Sequence, residues 1–201
     1  MALATNRRLV SVIRAVEDFR LGLVAAARAG DKLAFGELAA LEGRAAYRLC
    51  YGVLRNRPDA EDAVQDAFVQ AWSGLPGLKD LDRWPAWFRR LVVNAAIDTD
   101  RRRRRRPTVQ LIDIAFSTGD ATGGVVERDE VDRLMASLSA GDRAVVVLRY
   151  QQDLELPAIA DALDIPLGTA KARLHRALKK IRKNIQPELG EPYGYRGSSA
   201  R

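Results

Sequence analysis

The sequence predicts an all-α protein of two small helical domains joined by a flexible linker, on three observations. Apolar residues recur at helical rather than alternating spacing along almost the whole chain. One stretch, residues 107–127, breaks that rhythm: Ser, Thr, Gly and Asp dominate it, with Gly119, Gly123 and Gly124 as interruptions. The length, 201 residues, suits one or two domains with a real core.

The elements follow in order. Residues 1–29 form an N-terminal extension whose second half, roughly Val16 to Ala29, has a weak helical pattern. Asp31 is a good N-cap for a strong helix carrying Leu33, Leu38, Leu41, Ala45, Leu49 and Leu54. Pro58 and Asp59 restart the pattern with Ala60, Val64, Ala67, Phe68, Ala71 and Trp72, and Gly74 with Pro76 ends it. A fourth helix runs from about Trp84 into an arginine run, with Trp84, Trp87, Phe88, Leu91, Val92 and Ala95 inward. The first domain, residues 30–106, is thus a compact bundle. After the linker, residues 128–186 hold four short helices: about Arg128 to Ser137, Ala140 to Gln151, Pro157 to Leu163 and Leu167 to Ile185. Ser139 suits the N-cap of the second and Pro157 the first turn of the third. The tail, residues 187–201, is rich in Gly, Pro and Ser and is expected to be disordered.

Charge is segregated. Thirty-three Lys and Arg against 26 Asp and Glu leave +7. Arg101 to Arg106 alone carry +6, and Pro166 to Gln186 hold seven Lys and Arg with no acid. Asp59, Glu61, Asp62 and Asp66 lie within eight residues without a base. This pattern points to a polyanion partner and to something else that accepts an acidic face. One cysteine, Cys50, and one histidine, His175, exclude disulfide scaffolds, cysteine zinc sites and multi-histidine metal centres. Apolar runs such as Leu91 to Val93 and Ala144 to Leu148 are too short to span a bilayer, and no secretory signal is visible, so a cytoplasmic protein without membrane insertion is expected. No cofactor or metal is called for.

The segment from Leu156 to Arg182 has helix-turn-helix arithmetic. Ile159 and Leu163 give the first helix an apolar face, Ala160 is small where two helices would cross, and Asp164 suits a turn residue with positive φ. Ile165, Leu167, Ala170, Leu174, Leu178 and Ile181 give the second helix its inner face. Lys171, Arg173, His175 and Arg176 lie outside or flank it, where a recognition helix presents side chains to the major groove. Arg can engage guanine edges bidentately, while Lys179, Lys180 and Lys183 suit phosphates. The bland counterpart is an amphipathic helix with a solvated basic face.

Two segments carry a resemblance. Arg55 to Trp72 (RNRPDAEDAVQDAFVQAW) and Trp84 to Arg106 (WPAWFRRLVVNAAIDTDRRRRRR) strongly resemble conserved region two of bacterial RNA polymerase sigma factors of the sigma-70 family, in particular the small extracytoplasmic-function group. Gly168 to Leu178 (GTAKARLHRAL) resembles the same family's region four. The resemblance implies a non-enzymatic subunit that binds core RNA polymerase and directs it to promoters. It implies that Asp62, Gln65 and Asp66 dock on the clamp helices of the polymerase largest subunit, and that Asn94 and Asp98, with Arg89, Arg90, Arg101 and Arg102, engage the minus-ten element and assist strand opening. Thr169, Lys171, Arg173, His175 and Arg176 would face the minus-thirty-five element, where Ala170 and Ala172 depart from the family's usual residues. An anti-sigma partner is also implied. Two rivals stand beside this: a stand-alone helix-turn-helix regulator that needs no polymerase, and a magnesium carboxylate cluster on the acidic helix face.

Overall fold

A computed structural model describes residues 2–105 and 125–185. Within them the chain forms α1 (Ala2–Arg28), α2 (Lys32–Leu54), α3 (Arg57–Gly74), two 3₁₀ turns (Leu75–Gly77 and Leu81–Arg83), α4 (Trp84–Arg105), α5 (Val125–Ala136), α6 (Ala140–Tyr150), α7 (Leu156–Leu163) and α8 (Leu167–Ile185). The described residues include no strand, as the periodicity predicts. Most of the expected linker and all of the tail lie outside them.

Local chemistry sets the boundaries. The Asp31 carboxylate accepts from the backbone N–H groups of Leu33 at 2.8 Å and Ala34 at 3.1 Å, satisfying donors that a helix start leaves free. Asn56 does the same for α3, accepting from Asp59 N–H at 2.9 Å, with Pro58 in the first turn. Ser139 accepts from Asp142 N–H at 3.2 Å to start α6. Asp164 takes φ 54° and ψ 48°, the left-handed conformation expected of the turn between α7 and α8.

The first bundle packs α1–α4. Its α1 begins well before Val16, and Leu23, Val24 and Ala27 bring the last turns of this helix into the core. On α2 the inner stripe runs through Ala34, Leu38, Ala46, Leu49, Cys50 and Val53. Leu33 and Leu41, expected inside, are exposed at 82% and 39%: Leu33 points about half a turn away from that stripe and Leu41 sits at its edge. On α3 the fully buried positions are Ala60, Ala63, Ala67 and Ala71, while Val64, Phe68 and Trp72 are half-buried flanks. Those flanks join an aromatic cluster. Phe35 meets Trp72 at 5.0 Å between ring centroids, and Phe68 meets Phe88 at 4.9 Å. Trp84 stacks on Phe88 at 5.0 Å with planes 6° apart. Cys50 is fully buried, its Sγ 3.7 Å from the Val92 carbonyl, and burial pushes its thiol pKa up to about 12.

The second bundle packs α8 against α6 and α7 through Ala170 and Ala177, both fully buried, with Leu174, Leu178 and Ile181 half-buried. Leu167, expected inside, is 39% exposed, and Ala177 was missed because a small residue carries little periodic signal.

The two bundles dock. Helix α6 packs on α2 and α4, and α7 packs on α4, so the middle of α4 is buried on two sides. Arg143 of α6 donates to Asp100 of α4 at 3.2 Å, with both side chains 5% exposed. Asp100 also accepts from Arg104 at 2.6 Å and Arg103 at 3.4 Å, and Arg143 Nε is buried with no hydrogen-bond partner. An intact pair of this kind adds little net stability, but losing one partner costs about 3–5 kcal/mol. Desolvation lowers the Arg143 pKa, with the Asp100 charge opposing it. Among the described residues no helix is long and apolar enough to cross a membrane.

The aromatic cluster yields a stability prediction. Phe88→Ala removes a ring that is 4% exposed and touches two others, so urea denaturation should show a loss of about 3–5 kcal/mol. A loss below about 1 kcal/mol, the range of surface substitutions, would mean the cluster does not hold the bundle together.

Candidate nucleic-acid interface

Three charged surfaces carry the residues singled out from sequence. The first is the acidic face of α3. Asp62 and Gln65 are exposed and Asp66 is half-buried. Asp66 accepts from Arg102 at 2.6 Å and Asp59 from Arg103 at 3.0 Å, so the C-terminal end of α4 lies along this face. The carboxylates are strung along the helix and engage arginines. Among the described residues no three or more His, Cys, Asp or Glu gather as a metal site would require.

The second surface is α4 and the turns before it. Its arginine run is not a free cationic brush. Arg101 pairs with Asp98 at 3.0 Å, Arg102 also donates to Thr99 Oγ1 at 2.9 Å, and Arg104 pairs with Asp100. The side-chain hydrogen bond with Asp66 raises the Arg102 pKa, so its charge is secure. The exposed members of these pairs add little stability, and a phosphate can displace the carboxylates without large cost. Asn94 is half-buried and Asp98 exposed. Arg89 is half-buried, with burial lowering its pKa and Glu42 opposing. Arg90 reaches across to the second bundle and pairs with Asp164 at 3.1 Å. Trp84 is fully buried, so the packing role expected of it holds; Trp87 is half-buried.

The third surface is the helix-turn-helix of α7 and α8. Ile165 N–H returns to the Ala160 carbonyl at 3.0 Å and closes the turn. Lys171, His175 and Arg176 are exposed on α8, and Thr169 and Arg173 are half-buried. Two of these arginines lean on the first turn of α6. The Arg173 guanidinium lies so close to Gly141 that a Cβ there would stand 3.0 Å from its Nη1. Arg176 donates to both carboxylate oxygens of Asp142, at 2.9 and 3.4 Å. Partial desolvation pushes the Asp142 pKa up, but hydrogen bonds from Arg176 and Ser139 and the charges of Arg176 and Arg173 outweigh it and hold the carboxyl below its ordinary value. Sequence reasoning missed Asp142. It stands three residues after the Ser139 cap, where an acid is explained by the helix dipole alone.

The model of sigma-70 region 2 matches residues 38–106, and that of sigma-70 region 4 matches residues 128–181. The chain is 34% identical over 159 residues to the ECF RNA polymerase sigma factor SigM of Mycobacterium tuberculosis, covering 79% of this chain and 81% of that one. This chain belongs to the ECF family of RNA polymerase sigma factors. It is also 32% identical over 173 residues to the ECF RNA polymerase sigma factor SigW of Bacillus subtilis, covering 78% of this chain and 91% of the relative. Among solved structures it is similar to CnrH, determined in complex with the cytosolic domain of CnrY, with a TM-score of 0.61 and 27% identity over 85% of this chain and 99% of that one. A sigma factor gives core RNA polymerase its promoter specificity, and the two matched regions of this one are the α2–α4 bundle and the α5–α8 bundle. The stand-alone regulator falls away as an alternative.

The Asp142 contact makes a pH prediction for this sigma factor. A carboxylate whose folded pKa lies below its unfolded value stabilises the fold above the unfolded pKa and ceases to do so as pH falls through the folded one. Asp142→Asn should therefore be less stable than wild type from neutral pH down to the ordinary value of 3.8, and the difference should vanish at lower pH. Chemical denaturation of both proteins across this range measures it, and a pH-independent difference would show that the charge is not what matters.

Proposed function

We propose that the exposed acidic face of α3 is the polymerase-docking surface, through Asp62, Gln65 and Asp66 against the clamp helices of the largest subunit. On α4, Asn94 and Asp98 face bases of the minus-ten element, while Arg89, Arg90, Arg101 and Arg102 hold its backbone and the displaced strand. On α8, Thr169, Lys171, Arg173, His175 and Arg176 face the minus-thirty-five element in the major groove. The observation that carries this reading is the distribution of charge over the two matched regions. Region 2 presents an acidic helix face beside an arginine-rich helix, and region 4 presents basic side chains on the second helix of a helix-turn-helix. The protein works in the cytoplasm and performs no catalysis of its own. The similarity to CnrH, which was solved with the cytosolic domain of CnrY, supports an anti-sigma partner that holds this chain inactive.

Asp66 also anchors Arg102, so substituting it would disturb the basic end of α4 as well. Asp62 and Gln65 test docking more cleanly. On size exclusion with bacterial core polymerase, wild type should co-elute, and the Asp62→Ala, Gln65→Ala double variant should bind at least about tenfold more weakly. Equal binding by the double variant would move the docking surface elsewhere.

The phosphate role of α8 has its own measure. With promoter DNA in the holoenzyme, Lys179→Ala and Lys183→Ala should each reduce the slope of log affinity against log salt by about one. An unchanged slope would take those lysines off the DNA backbone.

A further inference from the structure

The basic face of α8 is divided into two stripes. Lys171, His175 and Lys179 stand at i, i+4 and i+8 and are exposed. Arg173, Arg176 and Lys180 stand at i, i+3 and i+7, and each of these meets the segment where α5 ends and α6 begins. Lys180 donates to the Ser137 carbonyl, Arg176 donates to the Asp142 carboxylate, and the Arg173 guanidinium lies over the bare Cα of Gly141.

The Arg176 pair has a directional geometry. One carboxylate oxygen of Asp142 accepts from Nη2 at 2.9 Å and the other from Nε at 3.4 Å. A carboxylate on the Nε–Nη2 edge fixes the plane of the guanidinium, and the pair does not use the fork formed by Nη1 and Nη2. That fork suits O6 and N7 of a guanine in the major groove. The Arg176 side chain is 62% exposed and that of Asp142 only 12%, so the acid backs the arginine from the protein side. The Asp142 carboxylate also senses the charge of Arg173.

We infer that the first turn of α6 sets the base preference of the recognition helix: Asp142 is a positioning residue that holds Arg176 for a guanine, and Gly141 leaves the space in which Arg173 is held beside it. The inference rests on the reading of α8 as the helix that faces the minus-thirty-five element. A long, mobile arginine loses rotamer freedom when it binds a base; one already held by a carboxylate loses less. A guanidinium fixed in its plane also cannot swing to fit a wrong base, so the gain falls on discrimination. An acid in the first turn of a helix favours the helix start in any case, so a loss of stability does not identify a positioning role. Base selectivity does.

The test uses holoenzyme assembled from the full-length protein, bound to promoter DNA randomised across the minus-thirty-five element, with the bound fraction sequenced. Wild type should favour guanine at one base pair by about tenfold to a hundredfold, and Arg176→Ala should abolish that preference. Asp142→Asn keeps the shape and removes the charge; it should lower the preference by about threefold to tenfold at the same base pair and leave the others unchanged. Its salt slope should stay that of wild type, because no phosphate contact is lost. Asp142→Glu keeps the carboxylate and should retain most of the preference. Gly141→Leu crowds Arg173 and should relax a different base pair; leucine is the better helix former, so α6 is kept. Full guanine preference in Asp142→Asn, with Arg176→Ala relaxed, overturns the positioning role and leaves α8 as the reader. Weakening that is uniform across sequences places Arg176 on a phosphate and overturns it as well. Arg176→Ala without effect at any base pair sinks the assignment of Arg176 to the minus-thirty-five element, and the inference with it. If circular dichroism shows Asp142→Asn unfolded, Gly141→Leu decides: unchanged preferences at every base pair overturn the role of this turn.

Discussion

Helix α4 has to satisfy two neighbours at once, and the architecture depends on how it does so. Toward its own bundle it offers Trp84, Phe88, Val92 and Ala95, and the Trp84–Phe88 stack ties its first two turns to the ring of Phe68 on α3. Toward the second bundle it offers Arg90, paired with Asp164, and Asp100, paired with Arg143. Rigid packing on the first side sets the rotation of the helix, and that rotation decides where Arg90, Asn94, Asp98 and Asp100 point. In a close-packed interior the stacked rings leave the helix little freedom to turn.

Charge is handled by two different rules in this chain. On the surface, arginines of the run Arg101–Arg104 are partnered by nearby carboxylates, among them Asp98, Asp66 and Asp59. Such exposed pairs are weak and open to competition by other anions, so they hold the arginines in place at small energetic cost. In the interior, Asp100 and Arg143 obey the opposite rule, where the pair is worth little but each member alone is expensive. Asp142 lies between these cases, accessible at one edge yet holding Arg176 against the first turn of α6.

Much of this was legible in the sequence because helix periodicity and capping chemistry are local. Asp31 and Ser139 could be named as caps, and Asp164 as the left-handed turn residue, from side-chain type and position alone. Burial was legible where the buried residues are large. It failed where alanines form the interior, as at Ala63 on α3 and Ala177 on α8, because small residues weigh little in a periodic pattern yet let helices approach closely. Leu33 failed in the other direction, an apolar residue half a turn off the stripe. The acidic and basic faces were visible as composition. Their pairing was not: Asp66 with Arg102 spans 36 positions and Asp100 with Arg143 spans 43, and no local pattern encodes a contact at that separation. The docking of the bundles was hidden for the same reason.

Cys50 has a practical meaning. Fully enclosed beneath α4, with burial pushing its thiol pKa up to about 12, it exposes no sulfur and stays protonated at neutral pH. Thiol-directed reagents therefore find no reactive cysteine in the folded chain, which has no other. A cysteine placed on any exposed helix would be its single reactive thiol, so spectroscopic probes can be attached one at a time without first removing Cys50.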